Sequence, residues 1–281
     1  MNLKLFIVYI AFAVISINCN AQQLFPKVTT PSKYEFSKIP IWHDEFDYTG
    51  KPDSTKWSYD LGDHGWGNHE LQNYTDLAKN ARVENGRLII EAIKEKSGTQ
   101  AYSSARLITK GKGDFLYGKF EIKAKLPAGR GTWPAIWMLG STDSYGNKGW
   151  PDNGEIDIME HVGFDPNRIH GNVHTKAFNH TLKTNKGNKI MTVNASSEFH
   201  VYGCQWTPEG ISMTIDGVQF FKFKHESFYG WEEWPFDKPF HLLLNIAIGG
   251  DWGGQKGVDD SVFPQKMEVD YVRVCPMVEK K

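Results

Sequence analysis

The segment NGEIDIMEHVG, residues 153–163, carries three acids: Glu155, Asp157 and Glu160. Glu155 and Asp157 are two residues apart, so a regular β-strand puts them on one face, with Ile156 and Ile158 on the other. Strict alternation would place Met159, not Glu160, beside the acids. One extra residue, a β-bulge at Ile158–Met159, returns Glu160 to the acidic face. The two glutamates then lie four strand steps apart, roughly 13 Å between Cα atoms at ~3.3 Å per step. On a concave sheet their side chains can lean together to ~5 Å, the separation at which one carboxylate attacks a sugar and the other protonates the leaving oxygen. A gap of ~6.5–9.5 Å would instead admit an inverting water. Asp157 would hold a shared proton or hydrogen bond and keep Glu155 ionised, while mutual repulsion should raise the pKa of Glu160, as a general acid needs. Two other readings of the row stay open: a solvated acidic edge strand, and carboxylates gathered around calcium.

Such a row needs a sheet to hold it, and the chain is written in short β segments. Residues 117–126, YGKFEIKAKL, alternate apolar with charged side chains, the mark of a half-buried strand. GRLIIEAIK, residues 86–94, follows the hairpin signal Asn85-Gly86. Residues 210–224 read as two strands joined at Asp216-Gly217, and FHLLLNIAIGG, residues 240–250, reads as a central strand. MEVDYVRVC, residues 267–275, alternates again and closes the domain. No window suggests a long amphipathic helix. The expected fold class is all-β: a two-sheet β-sandwich of jelly-roll type.

The chain has 281 residues and a formal net charge of -1, which gives no reason to expect nucleic acid or an anionic membrane as partner. Aromatic residues make up 14%, including 10 Trp, about half of which the core would absorb; the rest invite stacking on sugar rings. Lys4 followed by the apolar run Leu5–Ile17 reads as an export signal, too short to span a bilayer. Residues 1–21 are therefore expected to be a signal peptide, with lipidation at Cys19 as the alternative. Residues 22–34 form a linker and 35–281 one domain. Cys204 and Cys275 remain in that domain, in strand-like runs, and are expected to be buried free thiols.

GEIDIMEHVG resembles the active-site strand of glycoside hydrolase family 16, in its laminarinase and lichenase-like branch. The resemblance extends through WHDEFD (42–47), WGNHELQNYT (66–75), YGKFEIKAKLPAGRGTWPAIWML (117–139), NVHT (172–175), LLLNIAIGGDW (242–252) and DYVRV (270–274). It implies a curved jelly roll with a substrate cleft on its concave face, Glu155 as nucleophile, Glu160 as acid/base and Asp157 as their helper. It also implies sugar contacts from Trp133, Trp137, Asn68, Glu70, Arg106, Asn245 and Trp252, and a hydrogen bond from His174 near the acid/base. No cofactor is expected for catalysis. A structural calcium would rest on Glu45, the Gly86 carbonyl and Asp270. The implied activity is retaining, endo-acting hydrolysis of β-1,3-glucan, of mixed-linkage β-1,3/1,4-glucan, or of both, by an exported monomer. A galactan hydrolase of the same family and a non-catalytic carbohydrate-binding jelly roll are the alternatives, and transglycosylation is compatible with the same residues. His69 and Asp251 depart from the family pattern and put fine substrate preference in question.

Overall fold

The computed structural model describes residues 33–147 and 149–280. The expected signal peptide, Cys19 and nearly all of the linker lie outside these residues. Among these described residues, twenty strands follow in chain order. They are β1 (Tyr34–Phe36), β2 (Trp42–Asp44), β3 (Ser58–Tyr59), β4 (Gln72–Tyr74), β5 (Ala81–Glu84), β6 (Arg87–Ser97), β7 (Gln100–Ser104), β8 (Arg106–Ile108), β9 (Asp114–Phe115) and β10 (Gly118–Lys125). Then come β11 (Thr132–Gly140), β12 (Glu155–Glu160), β13 (Arg168–His174), β14 (Lys186–Met191), β15 (His200–Thr207), β16 (Gly210–Ile215), β17 (Val218–Lys224), β18 (Phe240–Ile248), β19 (Gln265–Cys275) and β20 (Met277–Glu279). Among the described residues the helical element is a single 3₁₀ turn, Asp260–Val262.

Two sheets make the sandwich. One has the order β17-β16-β15-β10-β19-β6-β7-β4, with β2 added beside β19 and β5 beside β6. The other runs β14-β13-β12-β11-β18-β8-β3, with β9 beside β18. Their facing sides supply the core. Phe120, Ile122 and Ala124 come from β10, Ile136 and Met138 from β11, and Val272 and Val274 from β19, all fully buried. The alternation along β10 is as its sequence requires, buried and half-buried in strict turn. Every residue of β18 is buried, because this strand lies at the middle of its sheet beneath the cleft. The hairpin residues take the backbone their types favour: Asn85 and Gly86 have φ 54° and 72°, Asp216 and Gly217 have 51° and 79°.

The ends of the domain differ from expectation. β1 begins at Tyr34, the last residue assigned to the linker, and pairs with β20. The domain therefore closes one strand after Cys275, with its first and last described strands in one small ribbon. Cys204 and Cys275 are free and buried, as expected. Cys204 faces Phe120 and Cys275 faces Lys119 across the two flanks of β10. Two strand spacings of ~4.8 Å keep their backbones roughly 10 Å apart, beyond the reach of a disulfide.

Candidate active site

β12 is an inner strand of the second sheet, between β11 and β13. Glu155 lies opposite Leu139 and His174, Asp157 opposite Trp137 and Asn172, and Glu160 opposite Ala135 and His170. The register slips between Asp157 and Glu160: Trp137 faces Asp157 while Ile136 already faces Met159. The bulge inferred from the spacing is thus present. Ile156, Ile158 and Met159 are all at 0% exposure in the core, and the three acids look the other way. Without the extra residue, Glu160 would point into that core, where a lone carboxylate is very costly.

The acids face a cleft of about 810 Å³. Its floor follows from strand periodicity: Trp133, Ala135, Trp137 and Leu139 from β11, and Asn245 and Ala247 from β18. The seven residues expected to touch sugar and His174 all line it, and five of the ten tryptophans do so: Trp66, Trp133, Trp137, Trp150 and Trp252. Trp57, Trp206 and Trp234 are buried instead.

Polar contacts fix these groups. The indole N–H of Trp133 donates to Glu160 Oε1 at 3.1 Å, and Asn172 Nδ2 donates to Oε2 at 3.1 Å. Trp137 Nε1 donates to Asn245 Oδ1 at 2.7 Å, and Asn245 Nδ2 donates to the Tyr74 hydroxyl at 3.0 Å. Gln72 and Asn68 donate to the buried Glu70, at 2.6 and 3.2 Å. The Arg106 guanidinium is layered between Trp66 and Trp137, 4.8 and 4.7 Å from their ring centres, with Nε 3.1 Å from Asp60. Cation–π contacts of this kind contribute about 0.5–2 kcal/mol each, so one charge steadies two stacking surfaces.

His174 corrects the expectation placed on it. Its Nε2 lies 3.3 Å from Asp157 Oδ2 and 4.0 Å from Glu155 Oε1, at the nucleophile end of the row. The cause is the antiparallel register, which sets His174 opposite Glu155. Asn172, two residues earlier on the same face of β13, takes the place beside Glu160. Alternation from His174 could have found Asn172 and His170. Trp150 and His180 enter from loops, and no local pattern marks them.

Burial dominates the electrostatics. Burial, then the charge of Asp157, raises Glu155 well above the usual carboxylate range. Burial, then the charge of Glu160, does the same to Asp157. Burial, then the charge of Glu155, pushes Glu160 up to about 7. Three carboxylates so placed cannot all ionise at neutral pH. The row retains protons, which is what a general acid requires.

The residues expected to hold calcium are on the other sheet. β2 and β6 both pair with β19, so Glu45, just after β2, and Gly86, just before β6, come toward Asp270 on β19. Glu45 accepts from Arg273 Nε and Nη2 at 2.8 and 2.7 Å, and Asp270 lies 2.7 Å from Lys123 Nζ. His69 and Asp251 pair on the rim of the cleft at 2.9 Å, both largely exposed.

The family model described as "Glycosyl hydrolases family 16" matches residues 68–273. A β-glucanase of Rhodothermus marinus is 56% identical over 244 residues, 85% of either chain. The solved laminarinase of Rhodothermus marinus aligns with a TM-score of 0.85 at 54% identity, covering 88% of this chain and 99% of that one. A solved non-specific endo-β-1,3(4)-glucanase aligns with a TM-score of 0.82 at 45% identity, covering 91% and 95%. The acid row, the tryptophan-lined cleft and these matches agree, and the chain belongs to glycosyl hydrolases family 16.

Proposed function

We infer that this protein is an endo-acting glycoside hydrolase that cleaves β-1,3-glucan and mixed-linkage β-1,3/1,4-glucan, with retention of configuration. The observation that carries the reading is the row of three desolvated carboxylates on one face of β12, opening onto a cleft that is lined with tryptophan. The names of the similar proteins, a β-glucanase and a laminarinase, support the substrate class.

The chemistry follows from the placement. A glucan lies along the cleft with its apolar ring faces on the indoles and its scissile bond at the row. One proton shared between Asp157 and Glu155 rests on Asp157 and leaves Glu155 as the anion. Glu155 attacks the anomeric carbon, and Glu160 delivers its proton to the departing glycosidic oxygen. Glu160, now ionised, takes a proton from the water that releases the sugar from Glu155. Capture by a sugar hydroxyl in place of water would give transglycosylation by the same route.

Action on a sulfated galactan would call for free cationic groups in the cleft. Arg106 is the sole guanidinium among the described lining residues, and it is committed to Asp60 and two indoles. Export and a monomeric state complete the reading. So does a calcium ion on Glu45, the Gly86 carbonyl and Asp270. The set offers oxygen ligands on adjacent strands, which suits calcium, and the ion would tie the start of the domain to its last long strand. Arg273 and Lys123 stand on long stems with side chains 40% and 37% exposed, free to give way.

Product profiling on laminarin, barley β-glucan and agarose tests the substrate. Release of short oligosaccharides from both glucans and none from agarose is expected; the reverse would overturn the reading. Proton NMR of the first product tests the stereochemistry, and an initial α-anomer would exclude retention.

A further inference from the structure

The catalytic row has a second chemical capacity. Glu155, Asp157 and His174 each offer one ligand atom, and the three atoms lie within 4.8 Å of one another. Asp157 is 2% exposed, and its Oδ2 makes no hydrogen bond despite standing 3.3 Å from His174 Nε2. An acceptor so deeply buried and left without a donor is anomalous, because buried polar atoms are nearly always paired. His174 Nδ1 is likewise unpaired, and its side chain is 8% exposed. Glu155 completes the triangle, with Oε1 4.0 Å from His174 Nε2. Its side chain is 16% exposed and opens onto the cleft.

We propose that these three residues form a binding site for a borderline-soft divalent ion of the zinc class, and that such an ion switches the enzyme off. The proposal rests on the assignment of Glu155 as nucleophile. Tetrahedral zinc with ligands at about 2.0–2.2 Å sets its donors about 3.4 Å apart. The Asp157–His174 separation already meets this. The Glu155 carboxylate, 4.0 Å from His174 Nε2 and within 4.8 Å of both partners, has to swing inward, which a side-chain rotation can supply. The fourth position faces the cleft, where water can fill it. One imidazole nitrogen with two carboxylates suits zinc, and also copper or cobalt. Calcium and magnesium want a larger set of oxygens and should be poor competitors. A bound ion would take the lone pair with which Glu155 attacks the sugar. It would also displace the proton held between Glu155 and Asp157. Inhibition therefore follows from the ligand set, and it should be competitive with glucan.

Calorimetric titration of the purified chain with zinc alone tests the site without reference to turnover. One ion per chain is expected. Cobalt should give the intense visible bands of a four-coordinate ion, and zinc should displace it. His174→Asn and Glu155→Gln should each weaken zinc binding on the order of 100-fold, at or beyond the upper end of what lost outer-shell partners cost. Two variants are used so that misfolding of one leaves the other informative. Zinc should suppress laminarin hydrolysis at least tenfold at saturation, and excess calcium should not. Absence of stoichiometric binding, or binding that both substitutions leave untouched, would overturn the site while the hydrolase stands. Tight zinc binding by a chain that never cleaves glucan would instead keep the metal site and overturn the proposed function.

Discussion

The two sheets carry acids in opposite surroundings. On the outer face of the ten-stranded sheet, each acid has a cation. Glu45 meets Arg273, Asp270 meets Lys123, and Glu268 meets both Arg87 and Lys125. Hydrogen bonds from Arg273 hold Glu45 below the usual carboxylate range. Burial pulls Glu268 upward but is outweighed by hydrogen bonds from Lys125 and Arg87. On the concave face of the other sheet, three acids share one histidine and no lysine or arginine, and all three are shifted up. Residue type is the same in both places, so the difference lies in what the fold puts beside it. The first set stabilises the native state. The second costs stability and keeps protons available, as functional sites commonly do.

The strongest way to break this contrast is to neutralise one acid from each set. Glu155→Gln should reduce glucan hydrolysis on the order of 10⁴–10⁶-fold, as loss of a nucleophile does. It should not lower stability, since it removes a desolvated charge. Glu45→Gln should do the opposite: activity within about twofold, and a loss of about 1 kcal/mol for the exposed pair. Rates on laminarin with denaturant midpoints for both variants make the comparison. Equal activity losses would erase the distinction.

Glu160→Gln sharpens it. Loss of the general acid should cost about 10²–10⁴-fold on polysaccharide. Wild-type kcat/KM should fall tenfold per pH unit above about 7, where Glu160 gives up its proton. The variant should show no such limb. An aryl glycoside with a good leaving group should largely spare the variant in the first step.

Much of this was legible before the fold was known. The bulge could be inferred because Ile158 and Met159 had to go inward together if Glu160 was to join the acids, and the register agrees. Trp133 and Trp137 came from the family resemblance, and alternation on β11 is why both reach the cleft. His174 was expected near the acid/base and stands beside Asp157 and Glu155 instead, because pairing register is set by the loop between β12 and β13, not by either strand alone. Trp150 and His180 were invisible for a stronger reason. Loops reach the cleft through tertiary packing, which leaves no periodic trace. The cations beside Glu45 and Asp270 were hidden likewise, since Arg273 and Lys123 meet them across strands.

The same contrast extends to stability. Glu160 titrates near 4.5 when unfolded and near 7 when folded. The native state therefore binds more protons between those values. The contribution is fully present below 4.5 and is lost as pH rises to 7. Glu160→Gln should accordingly gain stability over wild type at pH 8 relative to pH 4, by up to about 3 kcal/mol at 1.36 kcal/mol per pH unit. Urea midpoints across that range would measure it. For the salt-bridged Glu45 the sign reverses: its stabilisation appears above the unfolded value and is lost in acid.

A last contrast concerns what the salt-bridged acids of the ten-stranded sheet do with an ion. If calcium takes Glu45, the Gly86 carbonyl and Asp270, it replaces two mobile cations with one fixed charge that binds only the folded chain. At a hundredfold excess over its dissociation constant such an ion adds about 2.7 kcal/mol. For a domain of this size that corresponds to a rise in Tm of about 5–10 °C. A chelator should remove the rise, and Asp270→Asn should abolish the response to added calcium. Hydrolysis measured well below Tm should be unchanged, because these acids lie on the sheet opposite the cleft. A Tm that ignores calcium would mean that Arg273 and Lys123 already satisfy these acids. The two acid sets would then differ only in whether side-chain cations are present, with no metal needed on either face.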